Sequence, residues 1–306
     1  MNATSTHNAS SLSWYEASAR QRVTALADAG SFVEFIGPEQ REMSPHLAVF
    51  GLPEQFDDGM IIGSAKLDGR DVLVAAQEGR FMGGAFGEVH GAKLTGLLRA
   101  ASALKRDVLI LFDTGGVRLQ EANAGELAIA EIMRALIEAR LASCKVIGLI
   151  GGRAGCYGGG GLIAGCCSRL IVSEQGRISV SGPEVIETNR GVEEFDSRDR
   201  ALVWRSMGGK HRYLIGGVDI LVDDEAAAFR EAAIAALRAA SGFDLAVLTA
   251  EQQRLEYRLE RFGAMRDAID IWTSLGIAKP ASLPELTTED FLRQVQGKRE
   301  AADDAR

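Results

Sequence analysis

Short apolar runs recur along the middle of this chain at nearly constant intervals. They begin at residues 72, 108 and 146, which lie 36 and 38 residues apart, and a fourth run covers residues 170–172. Runs of this length with few polar breaks are typical of strands buried on both faces of a parallel sheet. The intervals match one strand followed by one crossover helix. The sequence therefore predicts an α/β fold of repeated strand and helix units around an open or coiled parallel sheet.

Cap and turn residues predict the elements that precede this repeat. Ser13 and Glu16 have the spacing of a capping box, which predicts a first helix over residues 14–29 that ends at Gly30. The pair Asp68-Gly69 stands between two apolar runs and predicts a β-hairpin.

Helical patterns cover three later segments: 124–141, 225–240 and 249–274. In the first, apolar residues recur at three- and four-residue steps and predict one apolar face, formed by Leu127, Ile129, Ile132, Met133, Leu136 and Ile137. We expect an N-terminal helical arm and loop over residues 1–58, a core over 59–240, and a C-terminal helical extension with a charged tail over 241–306. The tail, from residue 296, is predicted to be disordered because it has few large apolar residues.

Charge and hydropathy exclude several classes of protein. A net charge of -8 and no clustered Lys/Arg stripe argue against a nucleic-acid partner. The longest stretch without a charge, residues 154–168, is shorter than the ~18 residues of a membrane span, so no membrane partner is expected. Residues 1–13 are polar and do not resemble a secretory signal. The sequence predicts a cytoplasmic protein.

Cysteine and histidine spacing predicts that this chain binds no metal. The four cysteines contain no C-x-x-C pair, and the four histidines share no ligand spacing with them or with one another. The residues concerned are Cys144, Cys156, Cys166, Cys167, His7, His46, His90 and His211.

Glycine pairs follow three of the predicted strands. They are Gly83-Gly84, Gly115-Gly116 and the run that begins at Gly158-Gly159. Glycine lets a ligand approach the main chain closely, and paired amides at helix N-termini stabilise negative charge that develops on a substrate oxygen. The pattern predicts a site that holds an oxyanion on backbone amides.

Each of these sequence features also has a purely structural explanation. Each glycine pair could simply allow a tight connection between strand and helix. Arg118 could hold a carboxylate or phosphate, or could form a salt bridge with Glu121. Arg80 could be a hydrated surface charge, and Gly182 before Pro183 could be an ordinary helix start.

The order of the motifs resembles the carboxyltransferase component of acyl-CoA carboxylases, a branch of the crotonase-like superfamily. Within that branch the chain looks most similar to the beta subunits of the malonate decarboxylases that work without biotin. The stretches that carry the resemblance are QEGRFMGGAFGEVHGAK, DTGGVRLQEANAGE, AGCYGGG, SGPEVIETNRGVEEFDSRDRALVWR and GGKHRYLIGG. The resemblance extends to about Arg238 and implies a crotonase-like ββα superhelix of the carboxyltransferase N-domain type, with peripheral N- and C-terminal helices.

The resemblance also implies roles for individual residues. Gly158 and Gly159 match the glycine pair whose amides hold the thioester oxygen, and Gly115 and Gly116 match a second catalytic pair. The remaining matched residues are implied to bind substrate or its pantetheine arm: Gly83, Gly84, Arg118, Arg80 and Gly182. Thr114 and Val117 are mild departures from the family pattern, and the zinc-binding cysteines of some bacterial relatives are missing.

The implied activity is decarboxylation of a malonyl thioester carried on an acyl carrier protein. The implied partners are a gamma subunit that completes the active site, the acyl carrier protein with its phosphopantetheine arm, and an acyl carrier protein transferase subunit. No cofactor bound by this chain itself and no biotin is implied. A biotin-dependent carboxyltransferase subunit, a non-catalytic scaffold and an enoyl-thioester hydratase remain open as alternatives.

Overall fold

A seven-stranded sheet runs through the middle of the fold, with its strands in the order β1 to β7. In this computed structural model the described residues are 12–40, 42–49, 51, 58–239 and 242–299. The strands are β1 (Val33–Glu34), β2 (Met60–Leu67), β3 (Arg70–Gln77), β4 (Asp107–Phe112), β5 (Val146–Ile150), β6 (Arg169–Ser173) and β7 (Ile220–Val222). The first three strands pair antiparallel, and β3 to β7 pair parallel. The predicted α/β fold with a parallel sheet is confirmed.

The β2–β3 hairpin forms at the predicted turn. Leu67 pairs with Arg70, and Asp68 and Gly69 between them have φ of 54° and 74°. Two successive residues with positive φ are typical of the type I′ turn, whose twist matches that of the strands. Asp28 accepts both turn amides, at 3.0 Å and 2.8 Å.

Beyond the parallel strands the chain forms a second, smaller set of parallel bridges. Phe86 pairs with Val117, Thr114 pairs with Cys156, and Cys156 pairs with Ile178. Each repeat therefore has a long strand, a short second strand segment and a following helical segment. This is the ββα superhelix that the family resemblance implies.

Helices cover both faces of the sheet. They are α1 (Ala19–Leu26), α2 (Pro45–Val49), α3 (Glu88–Leu104), α4 (Asn123–Leu141), α5 (Gly159–Gly165), α6 (Pro183–Arg190), α7 (Arg200–Met207), α8 (Gly209–Leu214), α9 (Ala226–Arg238), α10 (Leu245–Phe262), α11 (Ala268–Ser274) and α12 (Thr288–Gln294). One core layer contains α3 and α4, and the other contains α1 and α9. Alternate residues of each strand face opposite layers, as Leu109 and Ile110 of β4 do.

The first helix is shorter than predicted, and it begins at a different cap. Ser18 and Gln21 form the capping box of α1, and Ala27 is already extended. Ser13 does accept the Glu16 amide at 3.2 Å, but its hydroxyl also donates to Asp224 at 2.5 Å. This long-range contact holds the residues after Ser13 as a turn rather than as helix.

Two other helix predictions need correction. The segment 249–274 forms two helices, α10 and α11, because α10 ends at Phe262 and Asp267 then caps α11 through the Ile269 amide at 2.8 Å. In α4, Leu127 is 65% exposed and does not share the buried face of Ile132. The predicted disorder from residue 296 is wrong for residues 296–299, which form a turn in which Arg299 donates to the Tyr213 carbonyl at 3.0 Å. The rest of the tail, from residue 300 onward, lies outside the described residues.

Two findings on the described part of the chain bear on its class. None of its helices is long and apolar enough to cross a membrane. Within the same residues, no group of three or more His, Cys, Asp or Glu side chains is placed to hold a metal ion.

Candidate active site at the glycine turns

Three glycine turns from successive repeats meet at one place. The amide of Gly115 donates to the carbonyl of Gly83 at 2.8 Å. A Cβ added to Gly158 would lie only 3.0 Å from the Cα of Gly116. The structure therefore brings together glycines that the sequence places up to 75 positions apart (158 minus 83).

Close backbone approach explains why glycine is needed at two of these positions. A Cβ on Gly84 would lie 1.7 Å from the carbonyl oxygen of Asp113, and the φ of Gly84 is +66°. Gly158 has a φ of +55° and faces Gly116. No larger residue fits either position without moving the main chain.

The amides of the predicted catalytic glycines are not equally available. The amide of Gly115 is used by Gly83, the amide of Gly116 donates to Thr114 Oγ1 at 3.1 Å, and the amide of Gly158 donates to the Val180 carbonyl at 2.9 Å. The first bond joins two turns, the second lies within one turn, and the third joins the third turn to the segment before α6. The donor role predicted for Gly115, Gly116 and Gly158 is therefore not available in this arrangement.

Two amides beside Gly158 remain as possible donors. Within the described residues, the amides of Gly159 and Val117 have no hydrogen-bond acceptor. A Cβ on Gly158 would lie 4.0 Å from the Val117 nitrogen, so the two amides flank the same glycine. Helix α5, which begins at Gly159, has only seven residues. The donor role therefore depends on the amide of Gly159 itself and not on the dipole of this short helix. Only the position of Val117 after a glycine pair signals it in the sequence.

The meeting point opens to the surface and has apolar neighbours. Gly83 and Gly115 are exposed and Gly158 is half-buried, whereas Gly84, Gly116 and Gly159 are buried. Four exposed apolar side chains belong to the segments that form or follow the turns: Leu119, Leu127, Leu162 and Val180.

Three titratable side chains close to the turns, those of His90, Cys156 and Tyr157, are held neutral. Burial is the main cause that lowers the pKa of His90 far below its usual value, and its Nδ1–H donates to the Ala85 carbonyl at 2.9 Å. Burial likewise raises the pKa of the Cys156 thiol far above its usual value and that of Tyr157 to about 12. A buried neutral thiol is a poor nucleophile, so the chemistry at this place depends on the main chain.

Comparison with known proteins identifies the family. Residues 16–235 match the model of the carboxyl transferase domain. The chain belongs to the carboxyl transferase domain family. It is 38% identical over 305 residues to the malonyl-S-ACP:biotin-protein carboxyltransferase of Malonomonas rubra. The alignment covers 93% of this chain and 96% of the relative.

Solved structures of malonate decarboxylase resemble this carboxyl transferase domain protein. One is a Pseudomonas malonate decarboxylase hetero-tetramer in complex with malonate, with a TM-score of 0.71 and 41% identity over 73% of this chain and 83% of that one. Another is the MdcD-MdcE hetero-dimer of the Pseudomonas enzyme, with a TM-score of 0.60 and 36% identity over 73% of this chain and 86% of that one. The resemblance first seen in the glycine motifs is therefore confirmed over most of the chain.

Arg118 of this family member has a different setting from the one predicted. Its side chain is fully buried, its Nη1 lies 2.9 Å from Asp58 Oδ1 and 3.0 Å from Glu121 Oε1, and its Nη2 donates to the Asp58 carbonyl at 2.8 Å. The salt bridge with Glu121, the structural alternative, is present. The prediction that Arg118 holds a substrate anion is corrected, because protein carboxylates already occupy this guanidinium.

The other two predicted binding residues are Arg80 and Gly182. Arg80 is exposed, and its Nη2 donates to the carbonyl of Glu16 at 3.1 Å. Gly182 is the N-cap of α6, and a Cβ there would lie 3.9 Å from the ring of Tyr157. Binding roles for Arg80 and Gly182 stay predictions.

Sequence reasoning missed the side chain that connects the turns of this carboxyl transferase domain. Asp113 is expected from its sequence position to close a local Asx turn. Instead it forms a buried ion pair with Arg22, 91 positions away. No local pattern identifies such a partner.

A cavity of about 330 Å³ lies elsewhere, between α7, α8 and the segment beyond the family match. Trp204, His211 and Trp272 contribute to its walls, and none of the predicted site residues does. The candidate active site is therefore the meeting point of the glycine turns.

Proposed function

We propose that this chain is the subunit of a malonate decarboxylase that converts malonyl-S-acyl carrier protein to acetyl-S-acyl carrier protein and CO2. The identity of 41% with one chain of the malonate decarboxylase hetero-tetramer supports this proposal. One observation carries it: three glycine turns meet beside Gly159, and the amide of Gly159 has no acceptor in the described part of the chain.

The chemistry requires stabilisation of one developing charge. When the bond between the α-carbon and the carboxylate breaks, its electron pair moves into the thioester and forms an enolate, and CO2 leaves. The enolate then takes up a proton at the α-carbon. The leaving carboxylate supplies the electrons, so a strong base is not needed. Backbone N–H groups aimed at the thioester oxygen stabilise the enolate without reorganisation. We assign this role to Gly159, with Val117 as the second donor.

The turns shape the path of the substrate in this proposal. We propose that Gly83 and Gly84 line the path of the phosphopantetheine arm, and that Gly115, Gly116 and Gly158 hold the donor segments in place through their own hydrogen bonds. This chain itself carries no cofactor and uses no biotin in the proposed reaction. We expect the reaction to take place in the cytoplasm.

Partner subunits complete the proposed enzyme. We propose a gamma subunit that covers the glycine turns, an acyl carrier protein that delivers the malonyl thioester, and an acyl carrier protein transferase. The exposed apolar side chains of Leu119, Leu162 and Val180 support a partner at this face.

A pair of substitutions at Gly159 tests the donor role. Gly159 is the first residue of α5, where proline is accepted. Proline there removes the N–H group and adds a side-chain ring. Gly159→Ala keeps the amide and adds the same Cβ as proline, which would lie 2.5 Å from Ile129 Cδ1 and 2.6 Å from Ile129 Cγ1 in both variants. We expect Gly159→Pro to lower kcat for CO2 release about 100- to 1000-fold relative to Gly159→Ala, in an intact complex. Equal kcat values for the two variants would refute the assignment.

Carboxyl transfer to a biotin protein is the second candidate function. It is favoured by the 38% identity with the malonyl-S-ACP:biotin-protein carboxyltransferase of Malonomonas rubra. The two functions share the enolate and differ in the acceptor of the carboxyl group. Release of CO2 from malonyl thioester by the assembled complex, without any biotinylated protein, selects the decarboxylase. Turnover that requires a biotinylated carrier selects the transferase.

A further inference from the structure

Arg22 connects the N-terminal helix to the glycine turns. It lies on α1, its side chain is 1% exposed, and its Nη1 donates to Asp113 Oδ2 at 2.8 Å. Its Nε donates to the Trp14 carbonyl at 2.8 Å, so the guanidinium is oriented from both sides. Burying an ion pair costs desolvation, and an apolar pair of the same size is often equally stable. The pair therefore calls for an explanation other than stability.

Asp113 contacts the segments of all three turns. It directly precedes the second turn, and its Oδ1 accepts the amide of Ala154 in the third turn at 2.7 Å. Added Cβ atoms on Gly79 and Gly152 would lie 2.6 Å and 2.2 Å from its carboxylate carbon. The carboxylate thus fills a space that glycine leaves open on two sides, at the end of β3 and at the end of β5.

Gln77 extends the same network to the first turn. It is fully buried at the end of β3, its Oε1 accepts the amide of Asp113 at 3.2 Å, and its Nε2 donates to the Gly84 carbonyl at 3.3 Å. The spacing between the turns at Gly84, Asp113 and Ala154 therefore depends on one connected set of hydrogen bonds, which Arg22 completes from α1.

We propose that Arg22 and Asp113 are positioning residues, which hold the three glycine turns at the spacing that the oxyanion site requires. The N-terminal helix is then part of the framework of the site, although its sequence suggests an appended arm. For its catalytic consequence the proposal rests on the proposed function. Both side chains are buried and engaged with protein partners, so they act through the amides of the turns. A misplacement of about 1 Å in such a site can cost about 100-fold in rate.

Substitutions in the assembled complex test this proposal. Arg22→Met removes the guanidinium and keeps the apolar stem, and Asp113→Asn keeps the size of the side chain and an acceptor for Ala154. We expect each to lower kcat about 100-fold with KM within about threefold. The double variant should be no slower than the slower single, because the two residues act as one unit. Arg22→Lys should recover part of the lost kcat. Arg20→Met is the matched control on α1, since Arg20 pairs with Glu34 at 2.7 Å.

Amide hydrogen exchange separates positioning from activity. In Arg22→Met, peptides from residues 113–118 and 154–162 should exchange faster than in the wild type, whereas peptides of α10 should not change. Unchanged exchange in the two turn peptides would overturn the proposal, whatever the activity. Faster exchange with unchanged kcat would also overturn it. If the wild-type complex releases no CO2 from malonyl thioester, the proposed function fails, and the exchange result alone still decides whether the pair positions the turns.

Discussion

Arg118 and Asp58 form a fully buried ion pair, with 2.9 Å between Nη1 and Oδ1. Glu121 is the third member, at 3.0 Å from the same Nη1. A Cβ on Gly87 would lie 2.5 Å from both Arg118 Nη1 and Glu121 Oε2, so the chain leaves no space between this pair and the start of α3. The group thus holds the segment after the second turn against the segment before β2.

Arg118→Met should mainly lower stability. The substitution leaves Asp58 and Glu121 as buried carboxylates without their cation, which costs about 3 to 5 kcal/mol in the free energy of unfolding. Arg134→Met is the control, since Arg134 forms solvent-exposed pairs with Glu131 and Glu138, and exposed pairs contribute little to stability. Urea denaturation of both variants measures the difference. A large rise in KM with unchanged stability would instead support the substrate-binding role.

His211 should make the stability of the fold dependent on pH. Burial, the largest cause, lowers the pKa of His211 from 6.5 to about 3, and its Nδ1 accepts the indole N–H of Trp272 at 3.1 Å. A folded pKa below the unfolded one gives stability that is fully present above pH 6.5 and is lost as the pH falls toward 3. The loss should approach about 1.4 kcal/mol per pH unit in that window.

The His211→Gln variant isolates this contribution. The difference in unfolding free energy between the wild type and His211→Gln, measured by urea titration from pH 7.5 to pH 4, should follow the predicted slope. Trp272→Phe removes the donor to Nδ1 and should raise the pKa of His211, which NMR titration of the imidazole detects. A difference that does not vary with pH would contradict the burial of a neutral histidine.

Two glycines of α3 should respond in opposite directions to alanine. A Cβ on Gly91 would lie 2.3 Å from the Cβ of Ala128 in α4, whereas a Cβ on Gly96 meets no atom within 4 Å. Gly91→Ala should cost about 1 to 3 kcal/mol through overpacking. Gly96→Ala should add about 0.5 to 1 kcal/mol, because alanine is the better helix former. Thermal and chemical denaturation compare the two. A stabilised Gly91→Ala would show that α3 and α4 do not pack this closely.

Leu119 should contribute to the association with the proposed gamma subunit. Its side chain is 87% exposed and follows the second glycine turn, so Leu119→Lys should leave the stability of the isolated chain unchanged. We expect the dissociation constant of the complex to rise about tenfold or more, or about 1.4 kcal/mol. Leu141→Lys, at the far end of α4 and 64% exposed, is the control. Equal affinities of the two variants, measured by titration calorimetry, would place the interface elsewhere.

Local signals in the sequence were sufficient for the strands and the hairpin. Strand β5 begins at residue 146 as predicted, and β4 begins one residue before the predicted residue 108, because both segments are short apolar runs. The turn at Asp68-Gly69 forms because its backbone preference is a property of the two residues themselves. The regular spacing of the apolar runs was likewise enough to predict the α/β fold class.

Long-range partners account for what the sequence did not predict. The helix expected from Ser13 starts later because Ser13 contacts Asp224, which is 211 positions away. Arg118 is buried in an ion pair with Asp58. The amides of Gly115 and Gly158 donate to the carbonyls of Gly83 and Val180. No local pattern contains this information, since each partner belongs to a different repeat or segment.

The sequence alone determined that this chain repeats strand and helix units and that glycine pairs follow three of the strands. Only the tertiary structure decided that the three pairs meet and that the amides of Gly159 and Val117 remain without an acceptor among the described residues. It also decided that Arg22 forms an ion pair with Asp113. The physical reason is that hydrophobic periodicity and turn preference act over a few residues. The availability of a main-chain N–H depends instead on which carbonyl, from any part of the chain, lies within 3 Å.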